Sequence, residues 1–336
     1  MRIGIGTGYW PWFTFERQVE MAVLADELGC DSIWASEGWG QDVVSFLGYV
    51  AARTEHVRLG TAIMQIPARP PTTAAMAAAS LDVISGGRVS LGLGLSGPQV
   101  SEGWYGVPFA QPLARTRAYV EAIRRALSGE RMPVQLPDGV AGTGLGKELR
   151  LLARPVQQQI SIFLGVTSPK AIEQCAEIAD GWLGAFVDPS QRSFEIDALV
   201  AGLAAAGRPR EELTVATLTP TSVAPTIAEA IANVKPWLVM YLGAVGAREK
   251  NFYVELADRY GYGNPAREVQ AKYLDGDRTG AAAALPDELV QAVSIATDPA
   301  GLPDRVAAYR EAGVDLLIAI PGGDELGTIR ALAGAH

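Results

Sequence analysis

Two hydrophobic rhythms alternate along the chain. Short, almost continuously apolar runs occupy residues 3–7, 32–35, 58–64, 88–95, 160–165, 182–186, 213–218 and 316–320, and each reads as a strand. Between them, apolar residues recur every three or four positions over 15–28, 43–53, 73–84, 113–127, 169–179, 192–206, 227–242 and 299–312, the spacing of amphipathic helices, with a short helix at 325–333. Strands without polar alternation are covered on both faces, which belongs to a parallel sheet wrapped by helices, and eight of them close into a barrel. The pattern predicts an α/β fold, a single (β/α)8 TIM-barrel domain over residues 1–336. Three helix-to-strand junctions share a grammar: Leu28-Gly29-Cys30-Asp31, Ala179-Asp180-Gly181-Trp182 and Ala312-Gly313-Val314-Asp315. In each, a glycine is expected to end the helix in the left-handed conformation.

Two stretches exceed an ordinary connection. Residues 129–159 are rich in Pro and Gly, and residues 243–285 carry four tyrosines among short helical patterns; both are expected to be pocket walls or contacts between subunits. A formal charge of −9 and the lack of a basic run argue against nucleic acid as a partner. No apolar stretch reaches the length of a membrane span, and no secretory leader is read at the start, so a cytoplasmic protein is expected. Cys30 and Cys175 are read as small buried hydrophobes, and no metal site is expected. The two histidines are His336, the last residue, and His56, placed before a strand and therefore at the barrel's inactive end. A histidine base, triad or metal cluster is thereby excluded, and reactivity has to come from a cofactor.

In a parallel barrel, ligands meet the C-terminal strand ends. After the first strand comes the aromatic group Tyr9, Trp10, Trp12; after the second come Glu37 and Trp39. They predict a wide apolar pocket with Glu37 as its ionisable group; the plainer reading has the aromatics packing under their own loops and Glu37 serving a helix start. Gly92-Leu93-Gly94-Leu95-Ser96-Gly97-Pro98-Gln99 and Gly165-Val166-Thr167-Ser168-Pro169-Lys170 both run from a strand into a helix opening, a setting for an anionic group. Steric glycine turns give the same pattern, and no dinucleotide fingerprint is present.

At these residues the chain resembles the luciferase-like monooxygenase superfamily, in particular its group using the deazaflavin coenzyme F420. The resemblance rests on the segments at 31–40, 57–69, 81–100, Glu102-Gly103-Trp104-Tyr105-Gly106, 112–117, 142–147 and 243–252. It implies a bacterial luciferase-like barrel in which the deazaflavin lies on a bulge of the third strand. A non-prolyl cis peptide is customary there, and Ala62-Ile63 is the matching bond. It further implies a cofactor site of Ala62, Ile63, Gly94, Ser96, Gly97, Pro98, Gln99, Gly165, Thr167 and Ser168, and a substrate pocket of Tyr9, Trp10, Trp12 and Trp104. Glu37 and Trp39 fall at the reacting centre. Relatives often carry a histidine after that acid, where this chain has Gly38, and their second loop often has Gly where Ser168 stands. Hydride transfer between the deazaflavin C5 and a largely apolar small molecule is the expected activity, in a homodimer. A reduced-FMN monooxygenase and a non-catalytic ligand-binding barrel are the alternatives.

Overall fold

The protein is described by a computed structural model covering residues 1–8, 13–133, 141–190, 194–246 and 248–334. Ten strands form one sheet: β1 (Arg2–Thr7), β2 (Ser32–Ala35), β3 (Arg58–Thr61), β4 (Met64–Gln65), β5 (Val89–Gly94), β6 (Ser161–Leu164), β7 (Gly181–Ala185), β8 (Thr214–Val223), β9 (Ile295–Thr297) and β10 (Leu316–Pro321). All pairings are parallel, and β10 joins both β8 and β1, so eight strands close the predicted barrel. The helices that wrap it first are α1 (Phe15–Glu27), α2 (Val43–Ala51), α3 (Pro71–Ser85), α4 (Pro98–Gly103), α5 (Pro112–Leu127), α6 (Pro169–Ile178) and α7 (Phe194–Ala205). There follow α8 (Ile227–Gly243), α9 (Phe252–Arg259), α10 (Gly263–Leu274), α11 (Arg278–Ala284), α12 (Asp287–Val293), α13 (Leu302–Glu311) and α14 (Glu325–Gly334).

The strands alternate strictly between two cores. Ile3, Ile5, Ile33, Leu59, Leu91 and Ile162 face outward into the layer shared with the helices. Trp34, Phe163, Leu183, Ala216, Leu316 and Ile318 face inward and fill the barrel. Trp34 and Phe163 meet edge to face at 5.1 Å. Glycines on neighbouring strands make room for them: a Cβ on Gly60 would stand 2.3 Å from the Trp34 ring, and one on Gly181 would stand 2.2 Å from Phe163. This corrects one reading of the helix–strand grammar. Gly29 and Gly313 do adopt φ of 72° and 93° after their helices, but Gly181 opens β7 and is small because Phe163 occupies its side-chain space. Gly92 likewise serves the barrel, since a Cβ there would fall 1.9 Å from the Thr61 carbonyl oxygen.

Two other expectations change. The predicted third strand is shorter and divides into β3 and β4, at the bulge the resemblance implied and with the cis peptide expected between Ala62 and Ile63. The predicted strand 213–218 continues to Val223, because Thr221–Val223 pair with β9 beyond the barrel proper, a polar extension that an apolar run could not reveal. The long stretch after α8 folds as α9–α12 around a second core, which includes Leu256, Val269 and Leu289. Cys30 and Cys175 are buried, as expected; burial pushes the Cys30 thiol up to about 11.

The end of the barrel where the strands begin is closed by aspartates. Asp26 accepts from the backbone N–H groups of Glu55, His56 and Val57 at 2.7–2.8 Å. Asp82 accepts from Val156 and Gln157, Asp180 from Ile162, and Asp315 from Val215. In the shared grammar, then, Asp180 and Asp315 are strand-start acceptors. A cavity of about 280 Å³ lies inside this end, bordered by Arg2, Asp31, Arg58 and Thr214. Its charges are already answered within the chain: Arg2 by Asp31 and Thr214, Arg58 by Gln157, Ser90 and the Val89 carbonyl.

Candidate active site

A cavity of about 610 Å³ opens at the other end, where the strands finish. Its inner wall is the upper layer of barrel side chains, Leu183, Leu218 and Ile320, with Ala62 and Ile63 of the strand break. Ile63 lies over two glycines: Cβ atoms on Gly94 and Gly165 would stand 2.1 and 2.8 Å from its side chain. The glycine run of β5 is thus small partly to seat Ile63, a packing reason that sequence alone cannot separate from approach to a ligand.

On one side, two helices point their starts at the cavity. Ser96, Gly97 and Val100 belong to the opening of α4, and Thr167, Ser168, Lys170 and Ala171 to the opening of α6. Both helices begin with proline, and neither has a side-chain cap, so their first N–H groups and the Lys170 ammonium suit a negatively charged group. Ser96 holds φ at 57°, a left-handed conformation costly for a residue with a Cβ. Pro98 and Gln99, expected in the site, lie in α4 and do not border the cavity. Elsewhere the cavity has an aromatic wall, to which the stretch 243–285 contributes Tyr253 as expected, while Phe186, Trp237 and Tyr241 were not foreseen. Phe186, Trp237, Tyr241 and Tyr253 border the cavity, with ring centroids 4.7–5.0 Å apart between Tyr241 and Tyr253, Phe186 and Tyr253, and Trp237 and Tyr241. They come from the end of β7 and from α8 and α9. Phe186, at φ 59°, is a second non-glycine residue in the left-handed region at the cavity.

Glu37 and Trp39 both border the cavity. Trp39 is half exposed at the rim (49%), whereas Glu37 is buried (6%). The Glu37 carboxylate accepts three bonds: Arg69 donates through both terminal nitrogens at 2.6 and 3.0 Å, and the Gln65 backbone N–H donates at 2.8 Å. Burial works most strongly against the Arg69 charge, but the bond to Glu37 together with the charges of Glu37 and Asp42 outweighs it and holds the guanidinium above its ordinary pKa. Gln65 lies in β4; its amide Nε2 donates to Ser96 Oγ at 2.8 Å, and its Oε1 is buried with no partner among the described residues. Trp104, expected in the substrate pocket, is 63% exposed at the end of α4 and does not border the cavity. Tyr9, Trp10 and Trp12 lie outside the described residues.

A family model described as luciferase-like monooxygenase matches residues 2–316. The chain is 37% identical, over 97% of its length and 96% of the relative's, to a Mycobacterium tuberculosis protein provisionally named a coenzyme F420-dependent oxidoreductase. It is 28% identical over 88% of its length to 5,10-methylenetetrahydromethanopterin reductase of Archaeoglobus fulgidus, covering 86% of that protein. Among solved structures, the F420-dependent tetrahydromethanopterin reductase of Methanopyrus kandleri superposes with a TM-score of 0.84 at 23% identity, over 99% of this chain and 98% of that one, and shares the fold.

Proposed function

The chain belongs to the luciferase-like monooxygenase family, and from that premise we propose that it is an F420-dependent oxidoreductase acting on a largely apolar small molecule. The observation that carries this reading is the 37% identity, across nearly all of both chains, to a relative named for that cofactor. The site is compatible with such a group. It offers volume in the range of small-molecule sites, a smooth bed of Ile63, Gly94 and Gly165, and two uncapped helix starts for a phosphate-bearing tail. When bound, F420 supplies a carbon, C5, that carries a hydride.

The chain's own contribution is binding, orientation and exclusion of water. Ala62 and Ile63 form the surface against which a flat ring system rests, with Gly94 and Gly165 behind it. Ser96, Gly97, Thr167, Ser168 and Lys170 receive the anionic tail. Phe186, Trp237, Tyr241 and Tyr253 face this bed across the cavity and hold an apolar substrate against it. As subunit contact for the expected homodimer we assign the outward apolar residues of α1–α3, Phe15, Tyr49, Met76, Val83 and Ile84.

A titration with F420 and, separately, FMN tests the cofactor assignment, followed through the fluorescence of Trp39 and Trp237. Saturable quenching by F420 alone is expected. Quenching by FMN alone would replace the assignment with an oxygen-activating monooxygenase, and no response to either would leave a ligand-binding barrel without this chemistry.

A further inference from the structure

Among the described residues Glu37 is the one acidic side chain buried at the cavity wall beside the strand break, and its neighbours give it work that competes with proton transfer. Three N–H groups converge on its two oxygens, two from Arg69 and one from the Gln65 backbone. Both acceptor sites of Oε2 are taken, so a proton can enter only at the second site of Oε1, where it would neutralise the carboxylate that Arg69 and the Gln65 N–H hold. Arg69 itself does not border the cavity. It is anchored behind the wall, where its carbonyl accepts from Tyr119 Oη at 2.9 Å and its guanidinium also approaches Asp42 at 3.4 Å.

The contacts continue toward the helix opening. The residue whose N–H is held by Glu37 is Gln65, directly after the break at Ala62–Ile63 and Met64. The side chain of that same residue donates to Ser96, whose left-handed backbone sets up the start of α4. One carboxylate therefore fixes the bed of the cavity, and through one glutamine it fixes the turn that feeds its anion-binding side.

We propose that Glu37 is a positioning residue rather than a proton donor: paired with Arg69, it locks the 62–65 segment and, through Gln65, the Ser96 turn into the shape that receives the deazaflavin. This rests on the F420 reading above. The two roles separate cleanly in their consequences. A general acid or base contributes about 10²–10⁴-fold to the rate and leaves its own limb in the pH profile. A positioning clamp contributes to cofactor affinity, and its partner Arg69, which does not border the cavity, contributes equally.

The test measures F420 dissociation constants for the wild type, Glu37→Gln, Arg69→Met and the double variant, together with the pH dependence of turnover at saturating F420. Both single variants should bind F420 about tenfold more weakly, as expected for loss of a charged two-pronged contact, and the double variant little more weakly still. Turnover at saturation should stay within about threefold, with an unchanged pH profile. If Arg69→Met does not fold, Arg69→Lys keeps the charge but loses the fork, and it should weaken F420 binding by about fivefold. Normal F420 affinity in both single variants, or a turnover loss above about a hundredfold confined to Glu37→Gln with one pH limb missing, would overturn the clamp alone. A wild type that does not bind F420 would overturn the cofactor reading and the clamp with it.

Discussion

The two ends of this barrel are built from the same strands and treat their polar groups in opposite ways. Where the strands begin, Asp26, Asp82, Asp180 and Asp315 each take backbone N–H groups, and Arg2 and Arg58 are paired inside their small cavity. Where the strands finish, two helix starts lack side-chain caps, Gln65 Oε1 lacks a partner among the described residues, and Ser96 and Phe186 sit in the left-handed region. A group satisfied within the chain stabilises the fold; a group left open, on a backbone held in a costly shape, is available to a ligand. The larger cavity is the site because its surroundings remain unfinished.

Substitutions of the same kind in the body of the barrel and at its mouth should therefore separate stability from binding. The largest effect is expected from Gly92→Ala, which drives a Cβ into the Thr61 backbone oxygen, an atom that cannot step aside. Urea unfolding should show a loss of about 3 kcal/mol or failure to fold. At the mouth, Gly97→Ala meets only the flexible Gln99 Oε1 at 2.6 Å, so stability should stay within about 1 kcal/mol. Its F420 affinity should fall instead.

Next comes Asp82→Ala, which strands the Val156 and Gln157 N–H groups and the Gln157 amide. The expected cost is about 3 kcal/mol in the same unfolding experiment. Its F420 dissociation constant should match the wild type. Removal of the Thr167 hydroxyl by Thr167→Ala should show the reverse, a stability change below about 0.5 kcal/mol with weaker binding. Loss of cofactor affinity in Asp82→Ala would mean that the two ends are coupled and the division drawn here is wrong.

The smallest effect concerns acid. Burial acts to raise the Asp26 pKa, but the N–H groups of Glu55, Val57 and His56 prevail and hold it below the usual carboxylate value. A group with a depressed folded pKa lends stability that is complete above its unfolded value, about 3.9, and is lost as pH falls through the folded one. Asp26→Asn should accordingly be less stable than wild type at neutral pH, and the gap should narrow below about pH 4 in thermal unfolding scans.

Much of the barrel could be read in advance because its signals are local. Eight apolar runs separated by amphipathic stretches admit few other folds, and Gly29 and Gly313 carry the backbone geometry that their junctions demand. The site was less accessible for two physical reasons. Glycine has one sequence letter and two uses, and Gly92 and Gly181 proved to be small for a neighbour inside the barrel rather than for a ligand or a turn. An acidic residue at a strand end announces charge but not its partner. Arg69, 32 positions away, became visible only once β2 and β3 had been laid side by side. Most of the aromatic wall was hidden in the same way, since Phe186 and Tyr253 meet only after α8 and α9 fold back over β7.

The partition inside the barrel has a consequence for change over time. Trp34, Phe163 and Leu316 border the lower cavity, while Leu183, Leu218 and Ala62 border the upper one, so a sheet of side chains barely two residues thick divides them. The depth available to a guest is therefore fixed by a few interior positions, independently of the loops that govern width and charge at the mouth. A lineage could deepen the chamber by trimming Trp34 or Phe163, or fill it by enlarging Ala62, without disturbing the rim. Because Gly60 and Gly181 exist to accommodate those two rings, each such pair should drift in concert, bulk passing from one strand to its neighbour.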